Sequence, residues 1–169
     1  IAITPKAEEA LWADLDGDGT LDVISSQEQH AERVVVFWGP GDRKRLRDPL
    51  AWRGESFPAV DGVSQWMFAE AGAIDDRNGP DLVVGGKNYE RNQTAWLGWL
   101  EAPARPRDVA AWAWHPLANV SWVMSIKLVD LNGDGHRDVL YTDKHGPGVG
   151  AWWLEHPGTA DPSALTRPW

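Results

Sequence analysis

Short apolar runs, each stopped by Asp, Gly or Pro, make up most of this chain. Val34-Val35-Val36-Phe37-Trp38 ends at Gly39-Pro40, and Asp81-Leu82-Val83-Val84 ends at Gly85-Gly86. Trp152-Trp153-Leu154 runs into Glu155-His156-Pro157. Apolar runs of about four to eight residues between turn residues predict strands rather than amphipathic helices.

The runs recur in a fixed order. Asp14-Leu15-Asp16-Gly17-Asp18-Gly19-Thr20-Leu21-Asp22-Val23-Ile24 matches Asp130-Leu131-Asn132-Gly133-Asp134-Gly135-His136-Arg137-Asp138-Val139-Leu140. Between them stands a decayed copy, Ala73-Ile74-Asp75-Asp76-Arg77-Asn78-Gly79-Pro80-Asp81-Leu82-Val83. A second marker follows each copy: Phe37-Trp38-Gly39-Pro40, then Trp99-Leu100-Glu101-Ala102-Pro103, then Trp153-Leu154-Glu155-His156-Pro157. A third marker is Arg47-Asp48-Pro49-Leu50-Ala51-Trp52 against Arg107-Asp108-Val109-Ala110-Ala111-Trp112, reduced to Asp161-Pro162-Ser163-Ala164-Leu165 at the end.

Each unit reads as four strands: one before the Asp loop (122–129), one after it (22–26, 81–85 and 138–142), the aromatic run, and one behind the Trp (114–120). Four strands at a fixed period predict an all-β propeller of antiparallel blades, with units longer than the ~40–45 residues of a WD40 repeat. The expected boundaries are about 7–60 for blade 1, 61–118 for blade 2 and 119–169 for blade 3. Residues 1–6 are expected to form a strand of a neighbouring blade, and Trp169 stands where a missing fourth strand would start. Closed propellers have ~4–8 blades. The expected partners are therefore remaining blades of the same protein (about seven in all) or further copies in a homo-oligomer.

Composition agrees. There are 12 Trp, 17 Gly and 12 Pro against 2 Met. The absence of Cys excludes disulfides, Cys-ligated zinc and thiol catalysis. A formal charge of -9 argues against nucleic acid or an anionic membrane as partner. No apolar run reaches the ~18 residues of a membrane span. The chain opens on Ile1 with no signal-peptide pattern, so a processed or excised segment is expected.

The Asp loops carry the candidate chemistry. Asp14, Asp16, Asp18 and Asp22 alternate with Gly17 and Gly19, and the Thr20 carbonyl adds an oxygen. Ca²⁺ takes ~6–8 oxygens, which short carboxylates in a tight turn can supply. Asp130, Asn132, Asp134, the His136 carbonyl and Asp138 repeat the set with one neutral ligand. An EF-hand closes with Glu at position 12, where this chain has Ser25 or Tyr141. Two structural Ca²⁺ sites are expected, with no catalytic residue attached. The middle loop has Ala73 and Arg77 in place of two ligands and is expected to bind no ion; Arg77 is expected to pair with Asp75, Asp76 or Asp81.

These loops resemble FG-GAP/VCBS repeats, the calcium-loop blades also found in integrin alpha-subunit propellers. The chain is similar to the central part of secreted bacterial FG-GAP-like repeat proteins, through Glu9-Ala10-Leu11-Trp12-Ala13-Asp14, Gly98-Trp99-Leu100-Glu101-Ala102-Pro103 and Trp112-Ala113-Trp114-His115-Pro116-Leu117. The resemblance covers roughly 7–169. It implies a propeller, structural Ca²⁺, and a secreted, periplasmic or cell-surface location. It implies no single activity, since members include adhesion modules, lectins and parts of polysaccharide lyases.

Trp38, Trp99 and Trp153 are expected at equivalent positions, packed between sheets. Trp66, Trp96 and Trp122 are the better ligand candidates, with Trp66 and Trp122 pairing across neighbouring blades. The basic run Arg43, Lys44, Arg45 and Arg47 reads as a solvated loop. The five His residues show no metal-binding spacing, and no Gly-x-Ser-x-Gly, His-Glu-x-x-His or phosphate loop occurs. The expected function is a calcium-stabilised extracellular binding or scaffold module for carbohydrate or protein. The alternative is a propeller, catalytic or not, of a polysaccharide-degrading lyase-like enzyme.

Overall fold

A computed structural model describes residues 6–88 and 95–169. These residues form eleven strands: β1 (Ala7–Ala13), β2 (Asp22–Gln27), β3 (Arg33–Trp38), β4 (Arg53–Ser56), β5 (Gln65–Gly72), β6 (Asp81–Lys87), β7 (Ala95–Glu101), β8 (Ala113–Val120), β9 (Val123–Val129), β10 (Asp138–Asp143) and β11 (Gly150–Leu154). They make three sheets, β1-β2-β3-β4, β5-β6-β7-β8 and β9-β10-β11, here called sheets 1, 2 and 3. Every neighbouring pair is antiparallel and consecutive in sequence, so each sheet is a meander. The protein is all-β, as its apolar runs predict. No described helix is long and apolar enough to cross a membrane.

Sheet 3 has three strands among the described residues. The chain after β11 forms one helical turn, α1 (Pro162–Leu165), whose cap Asp161 accepts from the Ser163 amide at 3.0 Å. Leu165 is buried, and its carbonyl accepts from the Trp99 indole at 3.1 Å and the Trp169 indole at 3.3 Å. The expected strand over 1–6 falls largely outside the described residues; Lys6 is a turn residue whose carbonyl accepts from Glu28 at 3.0 Å.

The register aligns the three units. Val23 pairs with Phe37, Leu82 with Leu100, and Val139 with Leu154. Trp99 and Trp153 are therefore equivalent and match Val36, whereas Trp38 matches Glu101 and Glu155. The expected equivalence of Trp38 with the other two is corrected by that shift of two residues. Val36 and Trp38 share a face because side chains alternate along a strand, so Trp38 and Trp99 are both buried all the same. Trp153 is 43% exposed, because no described sheet covers its face.

Two apolar cores lie between the sheets. Ile24, Val34, Val36 and Trp38 of sheet 1 meet Trp66, Ala69, Leu82, Val84 and Leu100 of sheet 2. Val83, Leu97 and Trp99 of sheet 2 meet Val123, Ile126, Val139 and Tyr141 of sheet 3. Alternation sends neighbouring β6 residues to opposite cores, which is why that strand has almost no polar position. The first strands of successive sheets, β1, β5 and β9, lie against one another along one side of the stack.

Candidate metal centre

The first Asp loop joins β1 to β2. Gly17 and Gly19 take φ of 73° and 84°, in the left-handed region that glycine enters without strain. That path turns backbone amides inward. Asp14 accepts from Gly17 at 2.8 Å and Gly19 at 2.9 Å; Asp16 accepts from Asp18 at 3.1 Å; Asp18 accepts the Thr20 amide at 2.8 Å and its hydroxyl at 2.5 Å. The Thr20 hydroxyl leads the interactions that hold the Asp18 carboxyl below its ordinary value. One oxygen from each of Asp14, Asp16 and Asp18 lies within 4.8 Å of the other two. Oxygens on opposite sides of a Ca²⁺ at about 2.3–2.6 Å would stand about that far apart, so spacing and donor type both fit a hard divalent cation.

Arg107, from the loop after β7 in sheet 2, reaches this group. Its guanidinium pairs with Asp16, and with Asp18 at 3.2 Å, and stands 5.5 Å from the Trp38 ring centre. The sequence motif holds no sign of it, since Arg107 is 91 residues from Asp16.

Asp22 sits apart from the trio. It is fully buried, and its two oxygens accept from the Leu15 amide at 2.9 Å and the Gly39 amide at 2.8 Å. Burial pushes its carboxyl up to about 6, against the pull of those amides. Asp81 repeats the arrangement with Ile74 at 2.8 Å and Ala102 at 2.9 Å, and Asp138 with Leu131 at 3.0 Å and His156 at 2.8 Å. This Asp thus staples the loop to the end of the third strand in all three units, with or without a metal. Each carboxylate oxygen has a second lone pair, so stapling and ligation are compatible.

The third loop follows the same path, with Gly133 at 79° and Gly135 at 90°. Asp130 accepts from Gly133 and Gly135 at 2.7 and 3.0 Å, and Asp134 from the His136 amide at 2.8 Å. The Asn132 amide group donates to Asp134 and to Glu155, each at 3.0 Å. The His136 ring stacks on His156 at 4.9 Å, and the buried His156 ring contacts the Ile74 carbonyl at 2.9 Å.

The middle loop keeps the path without the glycines. Asp76 and Asn78 hold φ of 59° and 53° at the corresponding positions, and these are the residue types that best tolerate it. Arg77 bonds Asp75 at 2.7 Å, one of its expected partners, and extends to Glu101 at 3.0 Å.

Of the three ligand-candidate tryptophans, Trp66 departs from expectation. Trp66 is fully buried, donates to the Val60 carbonyl at 2.9 Å and packs edge-on against Trp114 at 5.5 Å, so it is a core residue and not an exposed ligand platform. Trp96 is half-buried against the first core. Trp122 is half-buried beside His145, with the Lys87 and Lys144 ammonium groups 4.2 and 4.9 Å from its ring centre. Arg43, Lys44, Arg45 and Arg47 are exposed, and Arg43 donates to the Gly19 carbonyl at 3.0 Å. Comparison with family models and with curated proteins finds no match to this chain.

Proposed function

We propose that this chain is a segment of an FG-GAP/VCBS-like β-propeller, stabilised by Ca²⁺ and serving outside the cytoplasm as a binding or scaffold module for carbohydrate or protein. The observation that carries the reading is the convergence of Asp14, Asp16 and Asp18 within 4.8 Å. Arg107 offsets part of the repulsion among these three carboxylates through Asp16 and Asp18, and a divalent cation would relieve the rest, Asp14 included, while pinning the β1–β2 turn. Asp14, Asp16 and Asp18 would hold the ion, with Asp22 and the Thr20 carbonyl completing the set. Asp130, Asn132, Asp134, Asp138 and the His136 carbonyl form the second site, and Arg77 takes the cation's place in the middle loop. The propeller reading is supported by stacked antiparallel meanders of four, four and three strands whose first strands lie side by side.

Calorimetric titration of metal-free protein with Ca²⁺ should count two ions, and excess Ca²⁺ should raise the Tm. A third ion would refute the middle-loop assignment, and a Tm unmoved by Ca²⁺ or EDTA would refute the metal reading.

A further inference from the structure

The first two Asp loops draw their positive charge from different places. In the middle loop it is local: Arg77 bonds Asp75 of the same loop and Glu101 of the same sheet. In the first loop it crosses a sheet junction, since Arg107 of sheet 2 pairs with Asp16 and Asp18 of sheet 1. The third unit completes the comparison. Asp48 and Asp161 each cap the short turn that follows, accepting from the Leu50 and Ser163 amides at 3.0 Å, so Ala160 stands where the first two units have Arg47 and Arg107. At that position the sheet behind the middle loop offers no charge, and the middle loop carries its own. Each of these two loops is thus served by one guanidinium, and the loop that keeps all its carboxylates receives it from outside.

The oxygens that Arg107 takes are those the first loop leaves over. Both Asp14 oxygens accept loop amides, from Gly17 and Gly19. Oδ1 of Asp16 accepts from the Asp18 amide, and Oδ1 of Asp18 from the Thr20 amide and hydroxyl. Oδ2 of Asp16 and Oδ2 of Asp18 remain, and both bond Arg107. An ion held by the three carboxylates draws on the same groups. It and the guanidinium therefore repel each other even where they use different lone pairs.

Arg107 can yield without moving its loop. The buried Trp112 indole donates to the Pro106 carbonyl at 2.8 Å, and the Asp108 amide to the Arg105 carbonyl at 2.9 Å, so the backbone here is held independently of the ion pairs. The Arg107 side chain is 52% exposed. It borders an open cleft of about 550 Å³ that Asp16, Asp18, Ala104, Arg105 and Pro106 also line.

From this arrangement we infer that Arg107 is an internal competitor of the cation at the first Asp loop. It serves as the loop's counter-charge when divalent cation is scarce, and a bound ion loosens the Arg107 strap between sheets 1 and 2. The inference rests on the calcium reading above and adds a sign to it: ion binding and the strap weaken one another by the same factor.

Calorimetric titration with Ca²⁺ tests this in an Asp134→Ala background, which disables the third loop and leaves one expected site. Adding Arg107→Ala, with native far-UV circular dichroism confirmed, should tighten Ca²⁺ binding by about tenfold, the effect of one unit charge a few ångströms from a divalent ion in water-like surroundings. Arg107→Lys keeps the charge and should stay near the Asp134→Ala parent. The Tm gives a second readout. Arg107→Ala should lower it in EDTA, where the strap is the loop's counter-charge, and the deficit should shrink in saturating Ca²⁺. Unchanged or weaker Ca²⁺ binding without Arg107, or an equal Tm deficit in both conditions, overturns the proposal and leaves the calcium reading standing. A chain that binds no ion with or without Arg107 overturns the calcium reading and the proposal together.

Discussion

Asp22, Asp81 and Asp138 open the second strands of their sheets without solvent contact, and each ties two stretches of backbone together. Truncating one orphans two buried amides, at about 1–3 kcal/mol each. Asp81 tests this best, because its loop is read as metal-free. Asp81→Ala should lower the unfolding free energy by about 2–4 kcal/mol in urea titration; a loss no larger than that of an exposed salt bridge would show the staple to be unimportant. Asp81 also makes stability depend on pH. Burial pushes its carboxyl up to about 7, against the amides of Ala102 and Ile74, from an ordinary value of 3.8. The native state then holds a proton that the unfolded chain has released, so stability falls as pH rises through that range. The buried His156 imidazole is shifted down from 6.5, which works in the opposite direction, but only below that pH. In metal-free protein the Tm should therefore drop between about pH 6.5 and 8, and Asp81→Asn should flatten the drop. A wild-type Tm that rises over that interval would contradict the shift.

At the level of elements, strands and loops were legible and side-chain destinations were not. The apolar runs and the Asp/Gly loops mark every second and third strand, because strand identity and glycine-dependent turns are local properties. Trp38, Trp99 and Trp153 look equivalent in the sequence because each is followed within a few residues by Pro. The structure aligns them by backbone pairing, and that separates Trp38 from the others. Whether Leu15, Ile74 or Leu131 is buried depends on whether a sheet lies beyond it, which no local pattern records. Asp22 matches a ligand position by spacing, yet its amide partner Gly39 lies in the next hairpin. Gly98 is similar: it reads as a plain strand residue. In the structure β7 meets β8 at a register shift there, and a Cβ would press on the His115 carbonyl and stand 2.9 Å from the Pro116 Cα. These obstacles are backbone and do not swing aside. Gly98→Ala should cost about 1–3 kcal/mol, whereas Ala at Gly17, whose Cβ position is open, meets only the strain of its positive φ. Equal stabilities of Gly98→Ala and wild type in chemical denaturation would count against that packing.

At the scale of the molecule, sheet 2 belongs to both cores. Leu82 and Val84 face sheet 1 while Val83 between them faces sheet 3, so neither core can open without stripping one side of β6. A buried ion pair reinforces the link. Lys87 at the end of β6 pairs with Glu28 beyond β2, and its ammonium also lies 4.2 Å from the Trp122 ring centre at the start of sheet 3. One side chain thus touches all three sheets at the end opposite the Asp loops. Removing one partner of such a pair leaves the other charge buried without its counter-ion. This connectivity predicts a single cooperative transition and not sheet-by-sheet unfolding, although the sheets are repeats that elsewhere behave as separable units. Leu82→Ala weakens only the first core and Leu97→Ala only the second, each by about 2–5 kcal/mol. Both should move one common urea midpoint, with tryptophan fluorescence and far-UV circular dichroism giving superimposable curves. If Leu82→Ala instead splits the curve, releasing sheet 1 while the Trp99 core persists, then the shared strand does not couple the cores and the molecule is a repeat array in its energetics as well as its sequence.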